Sequence, residues 1–249
     1  AFDEFEMQVL TSLVRAVGLY PYMSEALRFA QDDDRLAYEL HRPDGMDEVF
    51  HSLQAKVYYQ LRTGSNVVLS ASTSVGKSLL IDAMIALGRF KKIVIVVPTL
   101  ALIDETRKRL VRRFRDGVHV ITHPTQTADL KTTNVYVLTQ ERVRQRIDLS
   151  NVDFFVIDEF YKLDLRHETD KRRAIELNLA FHQLAGTKAQ FYLLGPNIHA
   201  IKGLDRYEIH FIPSEYSTVA VDVVNFDLPT RGDERDQKLV ELCRELDTA

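Results

Sequence analysis

The chain has 249 residues, 45% of them hydrophobic, and a formal net charge of −4. This length can bury one large core with a small appendage, and a single cysteine excludes an internal disulfide. No signal-like segment is present and no apolar run approaches the roughly 18 residues of a membrane-spanning helix, so we expect an intracellular protein, cytoplasmic, or nuclear if eukaryotic.

Charge is unevenly placed along the chain. Residues 1–50 hold 4 basic and 11 acidic side chains, whereas residues 91–173 hold 17 basic and 12 acidic. The negative net charge of the chain argues against a general nucleic-acid-binding protein. The excess of positive charge at residues 91–173, however, would favour contact with a nucleic-acid phosphate backbone. Simple variation along a solvated surface is the alternative explanation.

Residues 1–45 are predicted to form a helical N-terminal extension. Its apolar residues at helical spacing are Phe5, Val9, Leu10, Leu13 and Val14. The acidic run at residues 32–34 indicates a solvated helix start, because three adjacent carboxylates do not face one point and cannot share a metal. From residue 46 an amphipathic helix that includes Phe50 leads toward the first strand.

Residues 67–69 form a short apolar run that fits a buried parallel strand, and a helix opens at Ser78. Between them the backbone must turn sharply, so that consecutive amide groups and a helix N-terminus point at one spot, which suits a polyphosphate. Lys77 would add a point charge and Ser78 a hydroxyl for Mg²⁺. The candidate ATP-binding residues of this loop are Ser72, Thr73, Ser74, Val75, Gly76, Lys77 and Ser78.

Short apolar runs continue along the chain, separated by helical or turn sequence. They lie at residues 93–97, 118–121, 135–138, 154–157, 191–194, 209–212 and 219–224. Their alternation with helices, clearest at residues 100–115 and 170–185, predicts an α/β fold with a mostly parallel sheet between helices. Asp170 is the expected N-cap of the second of these helices, and Gly186 its stop.

A pair of carboxylates follows the apolar run at residues 154–157. Asp158 and Glu159 are therefore expected at the carboxyl end of a buried strand, where open α/β sheets bind their ligands. Asp158 could hold Mg²⁺ opposite Ser78, and Glu159 could orient and deprotonate an attacking water. An acidic pair after a strand is often only a loop cap, but its position downstream of Gly-Lys-Ser favours the catalytic interpretation.

The phosphate loop meets the pattern G-x-x-x-x-G-K-[ST] only in its second half, because Ala71 stands where the first glycine would be. This loop, with the later Asp-Glu pair, resembles the motifs of DEAD/DEAH-box-type superfamily-two helicases. The resemblance implies a RecA-like P-loop domain at residues 46–228 that uses ATP and Mg²⁺, with Lys77 and Glu159 as catalytic residues and Ser78 and Asp158 at the metal. Residues 229–249 would be a hinge and the start of a truncated second RecA-like domain, so we expect the chain to be a fragment.

Smaller motifs of the family also have counterparts here. Pro98 and Thr99 match motif Ia, and Thr139 with Arg142 occupies the place of motif Ib, so the resemblance implies contacts with the backbone of single-stranded DNA or RNA. Helix capping is the alternative role for both threonines, and the two roles can coexist. The resemblance also implies that Gln54, 17 residues before the opening alanine of the loop, reads the adenine edge. An exposed helix glutamine is the alternative.

The family's Ser-Ala-Thr motif has a different sequence in this chain. Gly195 and Asn197 stand in its place, where the family links the nucleotide state to nucleic acid, and Asn197 is the candidate for the polar role. The position in the chain matches that of the family's motif, but the residue types differ. The resemblance therefore does not predict how this chain couples the nucleotide state to nucleic-acid binding. The basic residues at 107–115 spread round a helix, and we expect most of them on a solvated face.

The resemblance predicts a nucleic-acid-dependent ATPase that moves on, or unwinds, DNA or RNA. The fragment alone is expected to be nearly inactive, because in the family a cationic finger from the second RecA-like domain, the expected partner, stabilises charge on the γ-phosphate. Two alternatives remain. One is a double-strand DNA translocase of a restriction or defence system, and the other is a non-hydrolysing, ATP-responsive nucleic-acid-binding module, which intact Lys77 and Glu159 argue against.

Overall fold

The structure is a computed structural model and describes residues 3–23, 32–71, 76–166, 170–196, 203–204 and 206–214. Four loop residues predicted to bind ATP, at positions 72–75, lie outside these ranges, and so does Asn197. The predicted strand at residues 219–224, the hinge and the start of a second domain also lie outside the described residues.

Among the described residues, seven strands form one parallel sheet. They are β1 (Asn66–Ser70), β2 (Lys92–Val96), β3 (Val118–Ile121), β4 (Thr133–Leu138), β5 (Phe154–Ile157), β6 (Gln190–Gly195) and β7 (Ile209–Pro213). Their order across the sheet is β3-β4-β2-β5-β6-β1-β7, and every neighbouring pair is parallel. The predicted α/β fold with a mostly parallel sheet is confirmed.

Helices cover both faces of the sheet. The α-helices are α1 (Glu4–Ala16), α2 (Asp32–Leu40), α3 (Ser52–Arg62), α4 (Lys77–Ala86), α5 (Leu100–Phe114), α6 (Gln140–Gln145) and α7 (Lys171–Ala185). Helices α3, α4 and α5 pack on one face, and α6 and α7 on the other. Because the strands are buried on both faces, neighbouring residues enter different cores: Val67 and Leu69 enter the first, and Val68 the second.

The N-terminal helices form a small core of their own. Asp3 and Glu6 make a reciprocal capping box at the start of α1, with Asp3 Oδ1 accepting the Glu6 amide at 2.8 Å. Partly buried residues of α1, including Leu10, pack against Tyr20 and Val49. None of the helices in the described ranges is long and apolar enough to cross a membrane.

Two helix boundaries show how local capping competes with apolar periodicity. The predicted helix from residue 46 is wrong at its start, because α3 begins at Ser52 and Phe50 lies before it. Gln54 Oε1 accepts the His51 amide at 2.9 Å and so fixes the first turn. In α7 the predicted N-cap is confirmed, since the Asp170 side chain accepts the amide of Arg173 at 3.1 Å.

Candidate functional site

The start of the predicted phosphate loop is held from both sides by neighbouring strands. The Ala71 amide donates to the Gly195 carbonyl at 3.0 Å, and the Ser70 carbonyl accepts the amide of Ser214 at 2.8 Å. Ser70 and Ala71 are both buried. The parallel ladder therefore continues past the end of β1 and fixes where the loop leaves the sheet.

The end of the same loop requires a glycine. Gly76 has φ of 70° and ψ of 39°, the left-handed conformation, and is the N-cap of α4. A Cβ at this position would lie 2.5 Å from Nε2 of Gln54, whose side chain is buried. Gln54 therefore borders the loop, as its predicted role requires, but its Oε1 already accepts the His51 amide. Recognition of adenine by Gln54 stays a prediction.

Lys77 and the two acidic residues form one electrostatic group at the ends of β1 and β5. Burial lowers the pKa of the half-buried Lys77, and the charges of Asp158 and Glu159 oppose that shift. Burial raises the pKa of Asp158, while the hydrogen bond from the Glu159 amide and the charge of Lys77 lower it. The charges of Lys77 and Asp158 thus stabilise each other, whereas the like charge of Glu159 raises the pKa of Asp158.

The backbone turn after β5 sets the direction of the two carboxylates. Glu159 is a non-glycine residue with φ of 56° and ψ of 41°, and its amide donates to Oδ1 of Asp158 at 2.9 Å. Left-handed backbone at a bulky residue is strained, and such strain concentrates at functional sites. Lys162, one turn later, forms an ion pair with Glu159 Oε2. Lys162 was not among the predicted site residues, although its spacing of three residues from Glu159 is visible in the sequence.

The site fits a magnesium-bound nucleotide better than a metal held by protein alone. In the part of the chain that the structure describes, no group of three His, Cys, Asp or Glu side chains could hold a metal. Mg²⁺ is typically bound by one or two carboxylates together with substrate phosphates. For such a nucleotide, Asp158 could provide the carboxylate, the exposed Ser78 a hydroxyl at the helix start, and Lys77 the charge.

The predicted nucleic-acid residues lie at the ends of β2 and β4, next to the carboxylates. Thr99 is exposed and caps α5, since its Oγ1 accepts the Leu102 amide at 3.3 Å. Thr139 is 6% exposed, and its side chain makes no capping bond to α6. Side-chain capping of the following helix is therefore confirmed for Thr99 and wrong for Thr139. Arg142 donates to the Thr122 carbonyl at 2.7 Å.

Arg173 forms hydrogen bonds with residues of both predicted nucleic-acid motifs, the one after β2 and the one after β4. It was not among the predicted site residues. From α7, its guanidinium donates to the carbonyl of Pro98 and, at 3.4 Å, to Oε1 of Glu141 on α6. It also lines a cavity of about 80 Å³ that Asp158 and Lys162 border. One arginine thus contacts the loop after β2 and the helix after β4, beside the acidic pair.

The model of a protein family described as DEAD/DEAH box helicase matches residues 51–194. This chain belongs to the DEAD/DEAH box helicase family. The match covers the phosphate loop, the Asp-Glu pair and the strands between them, and the resemblance read from the sequence is confirmed. ATP binding and nucleic-acid binding follow as family properties.

A curated relative and two solved structures resemble this helicase domain. Anti-bacteriophage protein B of Escherichia coli (strain K12) is 43% identical over 236 residues, which are 90% of this chain and 32% of that protein. The chain thus spans about a third of the length of this relative. The helicase Lhr of Mycobacterium smegmatis, bound to ssDNA and AMP-PNP, has 18% identity and a TM-score of 0.50, over 77% of this chain and 30% of that chain. A hypothetical ATP-dependent RNA helicase from Sulfolobus tokodaii has 16% identity and a TM-score of 0.49, over 74% and 57%. The likeness to Lhr concerns the fold alone.

The basic cluster of the helicase domain is only partly solvated. Lys108 is exposed, as predicted for most of the basic residues at 107–115, and it pairs with the exposed Asp104. Arg109 and Arg113 instead pair with Asp82 of α4, whose side chain is 4% exposed. Burial raises the pKa of Asp82, and the two guanidinium groups oppose that rise. The single aspartate within the apolar sequence of α4 could have predicted that Asp82 needs a basic partner.

The motif that should couple nucleotide to nucleic acid is described only at its first two residues, Gly195 and Pro196. Gly195 ends β6, is buried, and lies opposite Ser70 in the register of β1 and β6. Its carbonyl accepts the amide of Ala71. The backbone at this motif position is therefore bonded directly to the start of the phosphate loop, whichever side chains follow it.

Proposed function

We propose that this helicase domain is the first RecA-like domain of a motor that binds Mg-ATP and couples its hydrolysis to movement on, or unwinding of, DNA or RNA. The proposal rests above all on one observation: the charge of Lys77, after β1, interacts with those of Asp158 and Glu159, after β5. A cation and two carboxylates at the carboxyl edge of a parallel sheet match the needs of phosphoryl transfer.

Each residue of this group has a separate role in the proposal. Bound Mg-ATP supplies the phosphoryl group, with the metal neutralising part of the phosphate charge. Lys77 holds the phosphates by its ammonium group, which burial makes less hydrated and therefore electrostatically stronger. Ser78 and Asp158 hold the metal. Glu159 orients the attacking water and takes its proton, and the ion pair with Lys162 keeps its carboxylate in place.

We propose that single-stranded nucleic acid crosses the ends of β2 and β4. The exposed Thr99 hydroxyl and the amides at the start of α5 are suited to a phosphate group. Thr139 is buried, so its contribution would come from the backbone of the first turn of α6. Arg142 and Arg173 stabilise this edge through carbonyl groups.

The relative from Escherichia coli supports a role for the parent protein in defence against bacteriophages. It is 43% identical and about three times as long as this chain, so its name bears on the whole protein and not on this domain alone. A second RecA-like domain that supplies an arginine finger is part of the proposal. The finger is worth roughly 10³ to 10⁵ in rate, so the 249-residue chain by itself should hydrolyse ATP slowly.

Two substitutions in the nucleotide site test the proposal. Lys77→Ala should weaken binding of a fluorescent ATP analogue at least about tenfold, because a phosphate-facing charge is lost. Glu159→Gln should leave binding unchanged and reduce phosphate release by about 10² or more, because the general base is lost. Lys108→Ala removes an exposed charge from α5 and is the matched control. Equal hydrolysis by the wild type and Glu159→Gln would show that the assignment of the base is wrong.

Strand displacement by the full-length parent protein separates the two candidate activities. A helicase displaces one strand of a partial duplex, whereas a double-strand translocase moves without separating strands. For either activity, the contacts at Thr99 should be insensitive to base sequence and weaken steeply with salt. An affinity for nucleic acid that is independent of salt would contradict the proposed surface.

A further inference from the structure

Tyr192 is a buried tyrosine at the centre of the sheet, directly beneath the nucleotide site. It lies on β6 opposite Val156 of β5 and Val67 of β1, and none of its surface is exposed. Its side chain belongs to the core that α3, α4 and α5 cover. Helix α4 is the helix that begins at Lys77, so this face of the sheet is the face of the phosphate loop.

The hydroxyl group of Tyr192 has no hydrogen-bond partner within the described residues. Buried polar groups are usually paired, and an unpaired one makes the folded state less stable. Two other buried tyrosines are paired: Tyr136 donates to Asp148 at 2.9 Å, and Tyr58 accepts the amide of Asp44 at 3.1 Å. The unpaired hydroxyl therefore calls for an explanation specific to Tyr192.

The geometry of the sheet directs Tyr192 toward Asp158. Asp158 follows Val156 by two residues, so both lie on the same face, and a long side chain can reach a diagonal neighbour on the next strand. Burial raises the pKa of the Tyr192 hydroxyl well above its ordinary value, and the charge of Asp158 raises it further. A tyrosine hydroxyl can donate one hydrogen bond.

Asp158 can accept another hydrogen bond. Its Oδ1 accepts the Glu159 amide at 2.9 Å, whereas a carboxylate has about four lone-pair sites on two oxygens. We propose that Tyr192 is a positioning residue whose hydroxyl donates to the Asp158 carboxylate when Mg-nucleotide is bound, and so fixes the carboxylate oxygen that faces the metal. This inference rests on the proposed nucleotide site. Outer partners of this kind typically change metal affinity 10- to 100-fold.

Tyr192→Phe tests the inference because it removes the hydroxyl and leaves the ring. In the nucleotide-free chain the variant should unfold at a temperature about 2–4 °C higher than the wild type, since an unpaired buried group is removed. In a magnesium titration of fluorescent ATP-analogue binding, its midpoint should rise about tenfold. A tyrosine with no role at Asp158 would show the rise in stability and leave the magnesium midpoint unchanged.

Tyr136→Phe is the matched control on the other face of the sheet. Its hydroxyl has a partner, so the variant should unfold at a lower temperature and leave the magnesium midpoint unchanged. An unchanged magnesium midpoint for Tyr192→Phe would overturn the inference, and so would a loss of stability like that of the control. A wild-type chain that binds no nucleotide at any magnesium concentration would overturn the proposed function as well.

Discussion

Replacing Asp148 by Asn should destabilise the chain by about 2 kcal/mol at neutral pH. Asp148 accepts two hydrogen bonds from Arg146, at 2.8 and 2.7 Å, and the Arg146 side chain is 5% exposed. Removing one partner of a fully buried pair typically costs about 3–5 kcal/mol, and we discount that range because the Asp148 side chain is 38% exposed. The corresponding fall in melting temperature is about 4–8 °C.

The destabilisation by Asp148→Asn should depend on pH in a defined direction. Hydrogen bonds from Arg146, the largest of several contributions, lower the pKa of Asp148 below its ordinary value of 3.8. A lowered folded-state pKa means that the stabilisation is fully present above the unfolded-state value and is lost as pH falls through the folded-state pKa. In urea unfolding from pH 7 to pH 3, the difference in free energy of unfolding between the two proteins should therefore shrink toward the acid end.

A matched control for this prediction lies in the same chain. Asp164 and Arg166 are also two residues apart, and their side chains also form two hydrogen bonds, at 3.0 and 2.7 Å, but the Arg166 side chain is 75% exposed. The Arg166 amide donates a third bond to Asp164, at 3.0 Å. Asp164→Asn should change the free energy of unfolding by less than about 1 kcal/mol. If Asp148→Asn cost no more than this control, or if its cost were the same at pH 3 and pH 7, the reasoning from burial would be wrong.

Two further substitutions test the loop and the edge of the sheet. Gly76→Ala should weaken nucleotide binding about tenfold, because left-handed backbone costs about 1–2 kcal/mol for a non-glycine residue and the new Cβ meets Gln54. Binding of a fluorescent nucleotide measures it, and unchanged affinity would contradict the need for glycine. Arg173→Met should weaken single-strand binding severalfold and leave nucleotide affinity unchanged, because the bonds to Pro98 and Glu141 are lost. Fluorescence anisotropy with a labelled oligonucleotide measures it, and an equal loss of both affinities would place Arg173 in the nucleotide site.

The strands were predictable from the sequence, but their order was not. A buried parallel strand such as β5 is a short apolar run, because both of its faces are covered. The position of β1 between β6 and β7 depends on pairing between distant segments, for example the 125 positions that separate Asn66 from Phe191. Local patterns carry no information about such pairs.

The functional site was also only partly predictable from local sequence patterns. Lys77, Asp158 and Glu159 could be assigned because each stands at a fixed offset from a strand end. Tyr192 could not be assigned to the site, because a tyrosine within an apolar run is expected in the core. Its proximity to Asp158 arises only from the pairing of two neighbouring strands, β5 and β6. Thr139 was predicted to contact nucleic acid, and its side chain is buried, because a motif position fixes where the backbone turns and not how deep the side chain lies.

The strand order also sets a distance scale for communication between the two binding regions. Neighbouring strands are about 4.8 Å apart, so three steps separate β2 from β1 by about 14 Å, and four steps separate β4 from β1 by about 19 Å. Charges at a surface are screened over about 8 Å at physiological ionic strength. If nucleic acid crosses β2 and β4 as proposed, a charge on the nucleotide would be felt only weakly there. A signal between the regions would then travel by contact, through groups such as Arg173 and Lys162 that border the same cavity at the intervening strand ends.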